Sequence, residues 1–259
     1  MDLQLRDKVV IVTGGARGIG EGISRALGLE GAIPVIVGRN ALDNEALLAA
    51  IEAAGGRAAC VTAELSRPDE CESAVRAVLE RFGRIDGLVN NAGVNDGVGL
   101  EHGSYGGFVD SLHRNLVHYY LMAHHALPAL KLSQGAIDNI GSKTAETGQG
   151  GTSAYAAANG GRNALTREWA VELSKYGIRV NAVIVAECLT PLYRQWLQGF
   201  ADPDAALQGI CDRIPLGRRM STAKEIADTV AFLLSPRSSH TTGQLIHVDG
   251  GYVHLDRAL

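Results

Sequence analysis

The stretch VVIVTGGARGIGEG, Val9 to Gly22, decides the fold. Its first five residues are β-branched without interruption, the composition of a strand buried on both faces. Among the glycines that follow, Gly14, Gly18 and Gly20 have the spacing of a phosphate-binding turn, and then comes helical spacing through Ile23, Ala26 and Leu27. A strand that turns through glycines into a helix leaves the first helical N–H groups unpaired at the positive end of the dipole. That is a ready phosphate site. Gly14, Arg17, Gly18, Ile19 and Gly20 are therefore expected to bind the pyrophosphate of a dinucleotide.

The same alternation runs to the end of the chain. IPVIVG (33–38), AACVTA (58–63), IDGLVNN (85–91), GAIDNI (135–140), IRVNAVIV (178–185) and QLIHVDG (244–250) read as further strands. Helical spacing separates them, through 70–82, 109–130, 152–176 and 222–234. No Pro/Ser-rich linker, charge block or repeat divides the 259 residues. The expectation is a single doubly wound α/β Rossmann domain over 1–259, with a seven-stranded parallel sheet. Right-handed crossovers put the C-terminal strand ends on one ligand-binding edge. Residues 188–220 break the rhythm with two proline-initiated helical segments, expected to form a small lid inserted at that edge.

A net charge of −4 offers no attraction for nucleic acid or an anionic membrane. No stretch approaches the roughly 18 apolar residues of a membrane span. The start, MDLQLRDKVV, lacks the basic and apolar regions of a signal peptide. The four cysteines form no CxxC pair, and neither His124 nor His125 stands at ligand spacing from cysteine or glutamate. Reduced thiols, a cytoplasmic location and no metal are expected.

The end of the second strand bears on which nicotinamide dinucleotide fits. An acid there would bond the adenosine ribose and repel a 2′-phosphate. Here VGRN places Arg39 at that point, and Arg17 lies in the glycine loop. Two guanidiniums favour the additional phosphate, so NADP is expected over NAD. The competing reading is that both arginines are ordinary surface residues.

These residues resemble the short-chain dehydrogenase/reductase family over essentially the whole chain. TGGARGIG is similar to its TGxxxGxG loop, NNAG (Asn90–Gly93) to its fourth-strand signature, and VDGG (Val248–Gly251) to the turn closing its last strand. The resemblance implies cofactor contacts from Asn91, Ala92 and Gly93, and from Glu64 and Leu65 beside the adenine. It also implies contacts from Cys188 and Thr190 to the nicotinamide carboxamide, although Val185 and Ala186 replace the family's Pro-Gly. Asn115, Ser142 and Tyr155 match three of four catalytic positions. By resemblance, Tyr155 carries the proton, Ser142 bonds the substrate oxygen and Asn115 holds water in a relay, while a hydride moves to or from nicotinamide.

The fourth position departs. In TSAYAAANGG (152–161), Asn159 stands where the family's YxxxK pattern has lysine. An unperturbed tyrosine has a pKa near 10, so about 0.1% is phenolate at neutral pH. A neighbouring cation favours the phenolate, and asparagine supplies none. About 10²- to 10⁴-fold of acid–base catalysis is at stake. Weak turnover that rises toward alkaline pH is expected, and Asn159→Lys is expected to raise it. Two other cations are near in sequence. Lys143 follows Ser142, but adjacent strand-end side chains point to opposite faces. Arg162 lies three residues past Asn159, and helical side chains lean toward the N-terminus. Sequence alone favours an exposed or subunit-interface Arg162 over one that reaches back. Asp138, a charge inside an apolar strand, is a second oddity.

The substrate site is expected to draw Asn95 and Glu101 from the loop 93–105 and Gln149 from the loop after Ser142. Tyr193 and Trp196 join from the lid, beside Ser142 and Tyr155. Polar density with aromatic faces suits a polyhydroxylated molecule better than an acyl chain or steroid. SKTAETGQGGTSAYAA, LTREWAVEL, LTPLYRQWL, IPLGRRM and DGGYVHLDRAL are similar to bacterial sugar dehydrogenases of the L-fucose dehydrogenase type. That likeness implies oxidation of the anomeric hydroxyl of a 6-deoxy-aldose to a lactone. The family also implies a homotetramer built on the two long central helices and the last strand. Two alternatives stay open: a non-catalytic NADP-binding protein of this type, and a reductase of another carbonyl substrate.

Overall fold

The computed structural model describes residues 1–255, so the last residues of DGGYVHLDRAL lie outside the described ones. The strands are β1 (Val9–Thr13), β2 (Ile33–Gly38), β3 (Ala59–Thr62), β4 (Gly87–Asn90), β5 (Ala136–Ser142), β6 (Arg179–Val185) and β7 (Leu245–Val248). All pairings are parallel, in the order β3-β2-β1-β4-β5-β6-β7. This is the expected doubly wound α/β Rossmann-type fold.

The continuous apolar strands follow from cover on both sides. Successive side chains alternate faces, so Val9 and Ile11 join one core while Val10 and Val12 join the other. The first core is closed by α3 (Pro68–Phe82), α5 (His118–Ser133) and α6 (Ser153–Ser174), through Val75, Met122 and Trp169. The second is closed by α1 (Gly18–Leu29) and α9 (Ala223–Leu234), through Ile23, Leu27, Ile226 and Val230. Beside α1, α2 (Ala41–Ala53) packs Leu47 and Ile51 with Ile36.

The segment read as one helix over 109–130 is divided. It comprises α4 (Tyr105–Leu112), a π-helical turn at His113–Val117, and α5. The π turn is only five residues long, too short a stretch for apolar periodicity to mark, yet it displaces backbone carbonyls from the helix ladder. The excursion after β6 carries α7 (Pro191–Leu197) and α8 (Pro203–Cys211), both opened by proline. Thr190 Oγ1 caps the first by accepting from the Tyr193 amide at 3.2 Å, and Asp202 caps the second from Ala205 at 2.9 Å. Among the described residues no helix is long and apolar enough to cross a membrane.

Asp138 is 0% exposed, and neither carboxylate oxygen has a hydrogen-bond partner among the described residues. Burial holds its carboxyl well above the usual carboxylate range, with Arg179 opposing weakly. A group neutral when folded but ionised when unfolded stabilises fully below its unfolded pKa and loses that contribution as pH rises. Asp138→Asn does not ionise. Thermal denaturation across pH should show a higher Tm for this variant at neutral and alkaline pH and little difference near pH 4, about the ordinary aspartate value.

Candidate active site

The sheet reverses its winding between β1 and β4, and the cleft opens at their C-terminal ends. Arg17 is the N-cap of α1 and makes no side-chain cap bond, so the leading amides of that helix are left to a ligand. At Gly20 a Cβ would stand 2.1 Å from the Gly14 carbonyl oxygen, so only glycine lets this turn close. The β4 end is stitched to the turn. Asn91 Nδ2 donates to the carbonyls of Thr13 (2.9 Å) and Gly14 (3.2 Å), while Thr13 Oγ1 accepts from the amides of Asn91 (2.8 Å) and Ala92 (3.1 Å). These side chains shape the cradle from behind. Thr190 lies against its mouth, its methyl 3.2 Å from where a Cβ on Gly18 would be. Cys188 is buried beside it, its thiol pushed up to about 11 by burial and by Glu225. An uncapped helix start, a turn with no room for Cβ, and a pinned floor fit a dinucleotide pyrophosphate.

At the adenosine end, each predicted arginine already faces an acid. Arg17 Nε lies 2.7 Å from Asp43, and Arg39, whose side chain is 79% exposed, lies 3.6 Å from Glu64. Burial works to raise the Glu64 carboxyl, but the Ser66 amide and hydroxyl and then Arg39 hold it below the ordinary value. Leu65 is buried in the core.

Ser142 ends β5, where its buried Oγ accepts from the Thr144 amide (3.3 Å) and hydroxyl (3.1 Å). Tyr155 is half-buried in the first turn of α6. Asn115 sits in the π turn, where its Oδ1 accepts from the Val94 amide (2.8 Å) and its Nδ2 donates to the Ser111 carbonyl (3.0 Å). Asn159 is fully buried and donates from Nδ2 to the Tyr155 carbonyl at 2.9 Å.

Arg162 overturns the sequence expectation of an exposed or interface side chain: it is only 3% exposed within its own chain. It reaches back one turn, because its long side chain leans toward the helix N-terminus. Nη1 donates to Asn159 Oδ1 (3.0 Å) and the Ile140 carbonyl (3.1 Å), and Nε to the Asn115 carbonyl (2.7 Å). The guanidinium carbon stands 4.3 Å from the Tyr119 ring centroid and 5.9 Å from that of Tyr155. A Cβ on Gly93 would meet Arg162 Nη2 and Asn115 Oδ1 at 2.9 Å each, so the glycine of NNAG makes room for this pair. Burial, and after it Arg162, lowers the His118 imidazole to about 4; burial raises the Tyr119 phenol despite the same cation.

Two further residues, Glu187 and Tyr252, were missed in the sequence. Lys143 turns away from the strand and ion-pairs with buried Glu187, and its Nζ lies 4.0 Å over the Tyr252 ring. The Tyr193 hydroxyl donates to the other Glu187 oxygen at 2.7 Å. Burial first and Glu187 second push that phenol upward, which keeps it a donor. Tyr193, Trp196 and Phe200 stack edge to face along and just past α7 at 5.2 and 4.8 Å. Of the other expected lining residues, Asn95 spends its Oδ1 on the Gly97 amide (3.3 Å), Gln149 is exposed, and Glu101 projects outward with its side chain 88% exposed. Where no metal is expected from sequence, the fold gathers Glu146, His247 and His254 with ligand atoms within 4.8 Å of one another. This grouping links the C-terminal turn to the loop after Ser142.

The geometry defines a nucleotide-dependent oxidoreductase site, and the chain belongs to the short-chain dehydrogenase/reductase family. The family model described as enoyl-(acyl carrier protein) reductase matches residues 14–253. The chain is 35% identical to L-fucose dehydrogenase of Bos taurus over 97% of its own length and 91% of the relative's. It is similar to the solved structure of Cj0485 dehydrogenase, with a TM-score of 0.95, 46% identity, and 100% and 99% of the two chains covered. An actinorhodin polyketide ketoreductase crystallised with NADPH gives a TM-score of 0.91 at 30% identity, covering 96% of this chain and 98% of that one.

The buried Lys143–Glu187 pair supplies a test of how the ends of β5 and β6 are held together. Lys143→Met leaves a buried carboxylate unpaired and should cost about 3–5 kcal/mol, whereas Lys143→Met with Glu187→Gln should recover most of it. Chemical denaturation of the single and double variants measures both.

Proposed function

We propose that this protein oxidises the anomeric hydroxyl of an L-fucose-like aldose to its lactone, with NADP as the preferred cofactor. The observation that carries the reading is the run of contacts from the end of β5 to the aromatic segment after β6: Lys143, next to Ser142, ion-pairs with Glu187, and Glu187 accepts from Tyr193, which stacks on Trp196. The apolar faces of Tyr193 and Trp196 suit sugar C–H groups, while the polar set suits hydroxyls. Similarity to the bovine L-fucose dehydrogenase supports the same substrate class.

Bound in the glycine cradle, the nicotinamide dinucleotide supplies the hydride acceptor. Ser142 Oγ holds the reacting oxygen, and Tyr155 takes its proton as the carbon is oxidised. Asn115 fixes the loop at Val94 that borders the pocket. The preference for NADP rests on Arg39, exposed and long enough to leave Glu64 for a 2′-phosphate, and on Arg17 in the glycine turn, which pairs with Asp43. Exposed Tyr120 on α5, Val171 on α6 and Phe232 on α9, with the half-buried β7 edge, support a homotetramer built on those faces.

A turnover screen of NADP and NAD against L-fucose, related aldoses and simple alcohols tests the reading. L-fucose with NADP should give the highest kcat/KM, and Tyr155→Phe should lower kcat by about 10²- to 10⁴-fold with cofactor affinity retained. Carbonyl reduction without sugar oxidation would instead favour the reductase reading, which the family model and the ketoreductase likeness support. Cofactor binding with no transfer in either direction would assign the protein to the non-catalytic class.

A further inference from the structure

We infer that Arg162 and Asn159 are a matched pair that replaces the family's lysine: the asparagine positions the guanidinium, and the guanidinium supplies the charge that serves Tyr155. This rests on the catalytic reading of Tyr155 and deepens it. Among the described residues Arg162 makes no ion pair with any carboxylate. Its donors end on the carbonyls of Asn115 and Ile140 and on the amide oxygens of Asn159 and Asn115. A buried cation without a counter-ion is costly, and carbonyl dipoles and aromatic faces offset only part of that cost. Its uncancelled charge acts on whatever anion forms nearby. The titratable side chains facing it are Tyr155 on α6, and His118 and Tyr119 on α5. His118 is neutral above about pH 4, and burial keeps Tyr119 protonated. Tyr155, half-buried at the pocket, remains as the group that the charge serves.

The local wiring is specific to this pair. Asn159 Oδ1 receives Arg162 Nη1, so an ammonium on residue 159 would meet a guanidinium where an acceptor now stands. The two cations would repel each other in a buried site. The π turn frees the Asn115 carbonyl, and Arg162 Nε takes it at 2.7 Å. Asn115 thus has both oxygens engaged by Arg162 or the Val94 amide. A guanidinium keeps its protons, so it contributes fixed charge and geometry and passes no proton on. Arg162 acts through Tyr155 and Asn115 and is a positioning residue.

The inference reverses what the sequence predicts for Asn159→Lys. With Arg162 in place, that substitution alone should lower hydride transfer at neutral pH at least about tenfold through like-charge repulsion. Arg162→Met should lower it by about 10²- to 10⁴-fold and move the rise of kcat/KM at least about one pH unit toward alkaline. Arg162→Lys should keep the wild-type pH position better than Arg162→Met. Asn159→Lys combined with Arg162→Met should recover to within about tenfold of wild type. Circular dichroism and NADPH titration check that each variant folds and binds. If Arg162→Met does not fold, the Asn159→Lys variant with and without it, and Arg162→Lys, decide the matter.

A second readout does not depend on turnover. Tyrosinate difference absorbance of wild type against Tyr155→Phe gives the midpoint of Tyr155 ionisation, and Arg162→Met should move it upward. A gain in rate from Asn159→Lys alone, or an unmoved pH profile and midpoint in Arg162→Met, overturns the inference. Absence of any hydride transfer by wild type overturns the catalytic reading, and the absorbance midpoint still judges the pairing.

Discussion

Gly20 lies so close to the Gly14 carbonyl that a single methyl group would stand 2.1 Å from the oxygen. That proximity ties the start of α1 to the end of β1, and through the Asn91 and Thr13 bonds to the end of β4 as well. The three segments meet where the sheet changes winding direction, so the cradle and the sheet are one construction. The remaining parts of the site enter at the same edge. Ser142 and Glu187 follow β5 and β6, and α6 brings Tyr155 alongside. Because every strand is parallel, a short extension past any strand end reaches the cleft.

The second organising element is the burial of Arg162. One side chain holds the π turn through Asn115, the end of β5 through Ile140, and its own helix through Asn159. Ile140's carbonyl also accepts from the Tyr119 hydroxyl at 3.0 Å, so the ring beneath the guanidinium is fixed by the oxygen that helps hold the cation. Such shared acceptors make the arrangement cooperative: displacing one partner loosens two others. The absence of a side chain at Gly93 completes it, since the guanidinium and the Asn115 amide fill that space.

What the sequence disclosed is what spacing encodes. The strands, the glycine turn, NNAG and the two proline-opened helices after β6 all depend on neighbours within a few residues, and these elements form where the sequence indicates. The π turn at Asn115 was invisible because five residues are too few for apolar periodicity to mark a change of helix type. Arg162 was misjudged because an arginine on a helix is exposed unless something buried accepts its donors. Its acceptors at Asn115 and Ile140 lie 47 and 22 residues away. The Lys143–Glu187 pair spans 44 residues, and no local rule joins them. Glu101 was expected in the pocket on the strength of its loop, but a loop's sequence does not fix which way its side chains face.

The charge near the phenol does not come from residue 159. In the YxxxK pattern the cation stands at that position, four residues past the tyrosine. Here one N–H of Asn159 is committed to the Tyr155 carbonyl and its oxygen to Arg162, whose guanidinium reaches back from three residues further along the helix. About 4.5 Å of helix rise separates the backbone of the charged residue from that of residue 159, and the long arginine side chain spans it. The charge is buried among fixed dipoles in place of water, so salt screens it less than an ammonium at the cleft surface. Its effect on Tyr155 is set by the packing of Tyr119 and the π turn. The electrostatics of this site are therefore a property of the core behind it.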